Sequence, residues 1–203
     1  MIAIVNYGVG NLFSLSSSFT AIGQQVIVTS DPQDLKYSDR IILPGVGAFE
    51  DAARKLFASG LAEPLIDEAH KGKPILGICL GMQLLFTKSY EFGVHDGLNL
   101  IPGDVKPIHD VIPESFKIPQ IGWNSLLFTN PSGLFANSHE GDYVYFVHSY
   151  SARCEEKYIT STTNYGSDLV ASVQNKNVYG VQFHPEKSGN VGLNILRAFC
   201  AMP

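Results

Sequence analysis

Short apolar runs alternate with amphipathic stretches of helical length through the first half of the chain. Residues 2–5, 25–28, 40–43 and 74–78 are too short for helices and rich in Ile, Val and Leu, which predicts buried strands. Between them, 11–22, 48–58, 61–71 and 80–88 are predicted as helices. In the first of these, Leu12, Leu15, Phe19 and Ile22 recur at helical spacing. Strand alternating with helix is the pattern of βαβ units around a parallel sheet. From about residue 100 the character changes to short β segments punctuated by Pro and Gly, at 104–108, 120–128, 143–150, 158–163, 168–174 and 177–183. A last helix over 188–201 begins at Ser188 as a candidate N-cap and turns Val191, Ile195, Leu196 and Phe199 inward. The expected fold is α/β: a central mixed, mostly parallel sheet, helices on both faces, and an antiparallel extension. One domain over 1–203 is expected, without internal repeats or low-complexity linkers.

Composition removes several function classes. A net charge of −5 gives no electrostatic reason to expect nucleic acid or an anionic membrane as partner. No apolar run approaches the ~20 residues of a membrane span. The opening Met1-Ile2-Ala3-Ile4-Val5 reads as a strand and not as a signal peptide. Cys79, Cys154 and Cys200 are widely separated, which argues against a disulfide framework or zinc knuckle and for a reducing cytoplasm. The six histidines show no H-x-x-x-H spacing, so no metal is expected. Gly8-Val9-Gly10-Asn11-Leu12-Phe13 invites a dinucleotide reading, but Phe13 stands where close helix–strand packing needs Gly or Ala. A tight turn into a helix is the better account, and no cofactor is expected.

Candidate chemistry centres on Gly77-Ile78-Cys79-Leu80-Gly81, between the apolar run Pro74-Ile75-Leu76 and the helix-like Met82-Gln83-Leu84-Leu85-Phe86. Glycines two residues either side of Cys79 permit a sharp strand-to-helix turn, the geometry of a nucleophile elbow. Such a turn presents one side chain at the positive end of the following helix, where the attacking thiolate form is favoured. It also places the Leu80 amide to hold a developing oxyanion. A buried structural cysteine at a tight junction explains the pentapeptide equally well. A second constellation, Gly180-Val181-Gln182-Phe183-His184-Pro185-Glu186, changes the balance. A cysteine nucleophile needs a base and a group that orients the base. His184 and Glu186 are two apart and would project to one side of an extended strand end, with Pro185 stopping the strand.

Cys79, His184 and Glu186, in that order and with these local sequences, resemble the class I (triad-type) glutamine amidotransferases. Pro44-Gly45-Val46-Gly47, after the strand at 40–43, is similar to that family's oxyanion loop. Gly81-Met82-Gln83 follows the nucleophile as in the family, and Phe146-Val147-His148-Ser149-Tyr150 is similar to its glutamine-gripping strand. The segments Asn6-Tyr7-Gly8-Val9-Gly10-Asn11, Pro119-Gln120-Ile121-Gly122-Trp123-Asn124 and Phe183-His184-Pro185-Glu186-Lys187-Ser188 resemble one branch, whose glutaminase subunits work beside a separate synthase subunit.

The resemblance covers essentially the whole chain and implies a flavodoxin-like sheet, L-glutamine as substrate and ammonia as product. It implies Cys79 as nucleophile, His184 as base, Glu186 as its orienting group, and the amides of Val46 and Leu80 as oxyanion donors. Gly45, Gly47, Gln83, His148, Ser149 and Tyr150 become substrate contacts. His148 is a competitor for the role of base, and as a lone strand histidine it is read as pocket wall. Asn11, Gln120, Trp123, Tyr145 and Lys187 take interface positions toward a (βα)₈-barrel cyclase forming a heterodimer. The chain offers no P-loop or basic phosphate cluster, so the acceptor of the ammonia must bind elsewhere. Three alternatives stay open: a paralogue feeding another synthase, such as one that amidates a surface sugar; a catalytically silent interaction subunit; and a stand-alone thiol hydrolase.

Overall fold

Strands buried on both faces read as unbroken apolar runs, and the centre of this molecule is built from such runs. The computed structural model describes residues 1–202. The first half runs β1 (Ile2–Val5), α1 (Leu12–Ala21), β2 (Val26–Thr29), α2 (Pro32–Tyr37), β3 (Arg40–Leu43), α3 (Phe49–Ala58), α4 (Ala62–His70), β4 (Ile75–Ile78), α5 (Leu80–Leu84), β5 (Phe86–Ser89) and β6 (His95–Asp96). The second half runs β7 (Ile101–Pro107), β8 (Gln120–Ser125), β9 (Leu127–Phe128), β10 (Tyr143–His148), β11 (Tyr150–Arg153), β12 (Ile159–Asn164), β13 (Asp168–Asn175), β14 (Val178–Val181) and α6 (Gly189–Ala201).

An eight-stranded sheet has the order β2-β1-β3-β4-β14-β13-β12-β9. Its first five strands are mutually parallel, and β13, β12 and β9 continue it antiparallel. One face packs against Leu35, Phe49, Leu56 and Leu65 from α2, α3 and α4. The other packs against Leu15 and Phe19 of α1 and Ile195 and Phe199 of α6. The expected mixed, mostly parallel sheet with helices on both faces and an antiparallel extension is what forms. A smaller sheet, β11-β7-β5-β6, and a ribbon, β10-β8, complete the fold. Among the described residues no helix is long and apolar enough to cross a membrane.

Five elements depart from expectation. The helix expected over 80–88 ends at Leu84, because Phe86 is fully buried in β5 and pairs with Ile101. The segment 120–128 divides at Leu126, with β8 pairing β10 and β9 pairing β12. The segment 143–150 breaks at Ser149, beyond which β11 joins β7. Ser188 does not cap α6 with its side chain. Its hydroxyl instead donates to the His184 carbonyl at 2.6 Å and accepts from the Tyr145 amide at 3.0 Å. The unforeseen α2 starts on Asp31, whose carboxylate accepts from the Gln33 amide at 2.8 Å, with Pro32 in the first turn.

Candidate active site

In open α/β sheets, ligands bind beyond the carboxyl ends of the strands. Here β4 and β14 are parallel neighbours with Ile78 opposite Val181, and the Cys79 amide donates to the Val181 carbonyl at 2.8 Å. The residues that follow the two strands therefore emerge side by side.

Cys79 adopts φ 56, ψ −112, the strained left-handed conformation of a sharp strand-to-helix turn. The flanking glycines are required by contact. A Cβ on Gly77 would lie 2.7 Å from the Gly81 carbonyl oxygen, and one on Gly81 only 1.9 Å from the Leu43 oxygen. A Cβ on Gly45 would stand 2.6 Å from the Gly81 amide nitrogen. The loop after β3 thus rests directly on the turn that carries Cys79.

His184 lies three residues past β14, and Pro185–Lys187 form a single 3₁₀ turn. That turn, not an extended strand end, brings Glu186 onto the imidazole: Nδ1 and Oε1 are 2.8 Å apart. Both side chains are buried, 3% and 4% exposed. Burial alone would weaken the proton affinity of His184, but contact with Cys79, the Glu186 hydrogen bond and the charges of both outweigh it and lift its pKa to about 9. With Nδ1–H donating to Glu186, Nε2 is buried and has no hydrogen-bond partner among the described residues. Such contacts tighten when substrate binds.

A cavity of about 290 Å³ opens over these groups. It is lined by Cys79, Leu80 and His184, by Val46 and Gly47 of the loop after β3, and by Gln83, His148, Ser149 and Tyr150. Gly45 lies beneath this surface, against Gly81, and Glu186 lies behind His184. Gln83 lines the cavity while its amide nitrogen donates to the Tyr150 carbonyl at 3.1 Å and to Gln182 Oε1 at 3.0 Å.

His148 is excluded as the base by its partners. Its Nδ1 lies 2.8 Å from the Tyr150 carbonyl and its Nε2 2.9 Å from Gln120 Oε1, so both ring nitrogens are engaged within the protein. Burial, aided by the nearby His184, pushes its pKa down to about 4 against the hydrogen bond to Tyr150. The other two cysteines are poor thiolate sources. Burial, with Glu155 beside it, raises Cys154 to about 11, and burial raises Cys200 to about 11.

The expected interface residues separate into two groups. Trp123 is 51% exposed, its ring edge-on to Tyr145 at 6.1 Å, and Lys187 Nζ stands 5.7 Å from the Tyr145 ring centre. This cluster adjoins His184, whose amide donates to the Tyr145 carbonyl at 2.9 Å. Asn11 is exposed and accepts from the Ser14 amide as the cap of α1. Gln120 corrects the expectation. Alternation along β8 turns Ile121 and Trp123 outward and leaves Gln120 fully buried against His148 and Asn124.

Two site residues had no sequence signal. Glu91 lines the cavity from the loop after β5. Burial raises its carboxyl pKa, and Oε2 accepts from the Phe49 amide at 2.6 Å, capping α3 from outside the helix. Gln182 is fully buried and donates to Cys79 Sγ at 3.7 Å.

Comparisons with known proteins agree with this geometry. The sequence model of the family described as Glutamine amidotransferase class-I matches residues 3–202. The chain is 46% identical over 202 residues to a protein of Wolinella succinogenes named imidazole glycerol phosphate synthase subunit HisH, covering 98% of both chains. It is 48% identical over 200 residues to a protein of the same name from Methanothermobacter thermautotrophicus, covering 98% of this chain and 97% of that one. Among solved structures, one described as a glutamine amidotransferase superposes with a TM-score of 0.76 at 15% identity, covering 99% of this chain and all of that one. The structure of PurLQS from Thermotoga maritima superposes with a TM-score of 0.71 at 20% identity, covering 98% and 96%. At such identities the structural likeness speaks for the fold.

Proposed function

The chain belongs to the class-I glutamine amidotransferase family, and we infer from that membership and from the site that it is the glutaminase subunit of an imidazole glycerol phosphate synthase, acting in histidine biosynthesis. The observation that carries the chemistry is the meeting of Cys79 and a Glu186-oriented His184 on one cavity beside two backbone segments suited to an oxyanion.

Glutamine enters with its side-chain amide over Cys79. The Glu91 carboxylate is placed for the substrate's α-ammonium group, and Ser149 and Tyr150 wall the far end. His184 Nε2 takes the thiol proton, and the sulfur attacks the amide carbon. The oxyanion is held by the amides of Leu80 and Val46. His184 returns a proton to the departing nitrogen, ammonia leaves, and a thioester remains. Water, deprotonated by His184, then releases glutamate and restores the thiol. Glu186 holds the imidazole tautomer throughout. No step calls on a cofactor or metal.

The partner in this reading is a (βα)₈-barrel cyclase that binds the phosphorylated acceptor and receives the ammonia. Its products would be imidazole glycerol phosphate and a purine-pathway carboxamide nucleotide. The aromatic cluster of Trp123 and Tyr145 with Lys187 is the docking face proposed for it, since exposed aromatic anchors suit interface centres.

The test is Cys79→Ala in the assembled synthase. Glutamine-dependent synthesis is expected to vanish while synthesis from ammonium salt persists at the wild-type rate, because the acceptor chemistry lies on the other subunit. Failure of ammonium to rescue an intact complex refutes this division of labour.

A further inference from the structure

Tyr7 is a buried titratable group that the reaction above leaves unused. It lies just past β1, is 5% exposed, and donates its hydroxyl to the Pro44 carbonyl at 2.7 Å. That carbonyl belongs to the Pro44–Gly45 peptide. The next peptide along, Gly45–Val46, carries the Val46 amide. The β1–α1 loop also closes on the same residue from Gly10, where a Cβ would come within 3.0 Å of Pro44 Cβ. Gly45 itself is seated on the Gly81 amide.

Further along, Gly47 has φ +95 with nothing among the described residues within 4 Å of an added Cβ, and Val46 is 42% exposed. The start of the loop is thus the packed part, and the Tyr7 hydroxyl supplies a buried polar bond there. Burial, together with the charge of the neighbouring Cys79, pushes the phenol well above its ordinary pKa. Tyr7 thus remains a protonated donor at any pH at which the enzyme works.

We propose that Tyr7 is a positioning residue for the oxyanion site: its hydroxyl fixes the Pro44 carbonyl and so holds the Gly45–Val46 peptide where the Val46 amide can meet the developing charge. The proposal rests on the glutaminase reading above. Losing an oxyanion donor outright typically lowers kcat by ~100- to 1000-fold. Loosening its anchor misaligns the donor without removing it, so a smaller loss, about 10-fold, is expected.

Tyr7→Phe keeps the ring and deletes only the hydroxyl, and the experiment uses the synthase assembled with its cyclase partner. Expected are a kcat for glutamine lowered about 10-fold, a KM within about twofold of wild type, and ammonium-dependent synthesis unchanged. Alkylation of Cys79 by iodoacetamide should keep its rate and pH profile, because iodide is displaced at carbon without forming an oxyanion. A 3-fluorotyrosine at position 7 retains the donor and should retain the wild-type kcat. An unchanged kcat in Tyr7→Phe overturns the proposal. So does an alkylation profile that shifts in step with kcat, which would assign the hydroxyl to the thiol. A rise in KM alone, or loss of ammonium-dependent synthesis as well, would assign it to binding or to the fold and equally overturn it. Wild-type enzyme that forms no glutamate would sink the glutaminase reading itself, before Tyr7 is altered.

Discussion

Gly81→Ala is the sharpest test of how the site is held together. The added Cβ would sit 1.9 Å from the Leu43 carbonyl oxygen, 2.8 Å from the Leu43 carbonyl carbon and 3.1 Å from that of Pro44. All three are backbone atoms at the end of a central strand, so no flexible side chain can move aside. Reaching ordinary van der Waals contact, about 3.4 Å, requires an opening of roughly 1.5 Å between the start of the loop after β3 and the turn that carries Cys79. A displacement of about 1 Å in a catalytic constellation lowers rates by about 100-fold. The expectation is therefore a kcat for glutamine reduced at least about 100-fold. Overpacking of this kind also destabilises by about 1–3 kcal/mol, which for a chain of this length is roughly 2–12 °C in Tm. Glutamate release measures the first effect, ammonium-dependent synthesis controls for assembly, and a thermal melt measures the second. Gly60→Ala is the companion variant. Its φ of +74 imposes backbone strain, but nothing among the described residues lies within 4 Å of the new Cβ. It should lose some stability and no activity. Glutamine turnover in Gly81→Ala within about threefold of wild type would show that the loop and the elbow do not depend on their close approach.

Two further outcomes follow from the charges in the site. His184 is raised from 6.5 to about 9 by Cys79 and Glu186 against the opposing effect of burial; a raised pKa adds stability that is complete below pH 6.5 and is lost as pH climbs through about 9. Thermal melts of Glu186→Gln, which lacks one of these partners, should show the largest deficit against wild type below pH 6.5 and a shrinking one toward and beyond pH 9; a deficit that widens across that window contradicts the assignment. Glu91→Gln keeps an oxygen for the Phe49 amide but loses the charge proposed for the α-ammonium group. Its KM for glutamine should rise about 10-fold or more with kcat little changed, in keeping with the strength of charge-assisted hydrogen bonds, and steady-state kinetics showing the reverse split would remove Glu91 from substrate binding.

The parts of the fold legible in the sequence are those where local pattern and tertiary environment demand the same residues. β1 and β3 were readable because strand positions walled in on both faces admit hardly anything but Ile, Val, Leu and Ala, with Arg40 only at the half-buried start of β3. Met82–Phe86 misleads for the complementary reason. A run buried on every side carries no periodicity, so nothing in it distinguishes a short helix passing into a strand from a longer helix. The breaks at Leu126 and Ser149 are likewise hidden. Each is a change of pairing partner, decided by strands elsewhere in the chain while the local alternation runs on. The short α2 announces itself only through Asp31-Pro32, a cap signal with a single buried residue, Leu35, behind it.

The same division runs through the site. Gly77 packs on Gly81 within the elbow and Gly81 packs on Leu43 from another strand, yet both stand two residues from Cys79, so the pentapeptide displays them. His184 and Glu186 are two residues apart, so the pair stands in one short motif and was legible, although a 3₁₀ turn, not an extended end, brings them together. The expectation for Gln120 went astray because neighbouring positions on one strand serve opposite purposes. Trp123 and Ile121 face outward, whereas Gln120 turns inward, where its Oε1 lies 2.9 Å from His148 Nε2. The remaining members act across sequence distance: Gln182 reaches Cys79 from 103 positions away, Glu91 caps Phe49 from 42, and Tyr7 holds Pro44 from 37. A glutamine, a glutamate or a tyrosine in isolation carries no mark of such a task. What gives each one meaning is the parallel sheet, which gathers the carboxyl ends of β1, β3, β4 and β14 at one edge and lets the loop that leaves each strand brace the loop that leaves its neighbour.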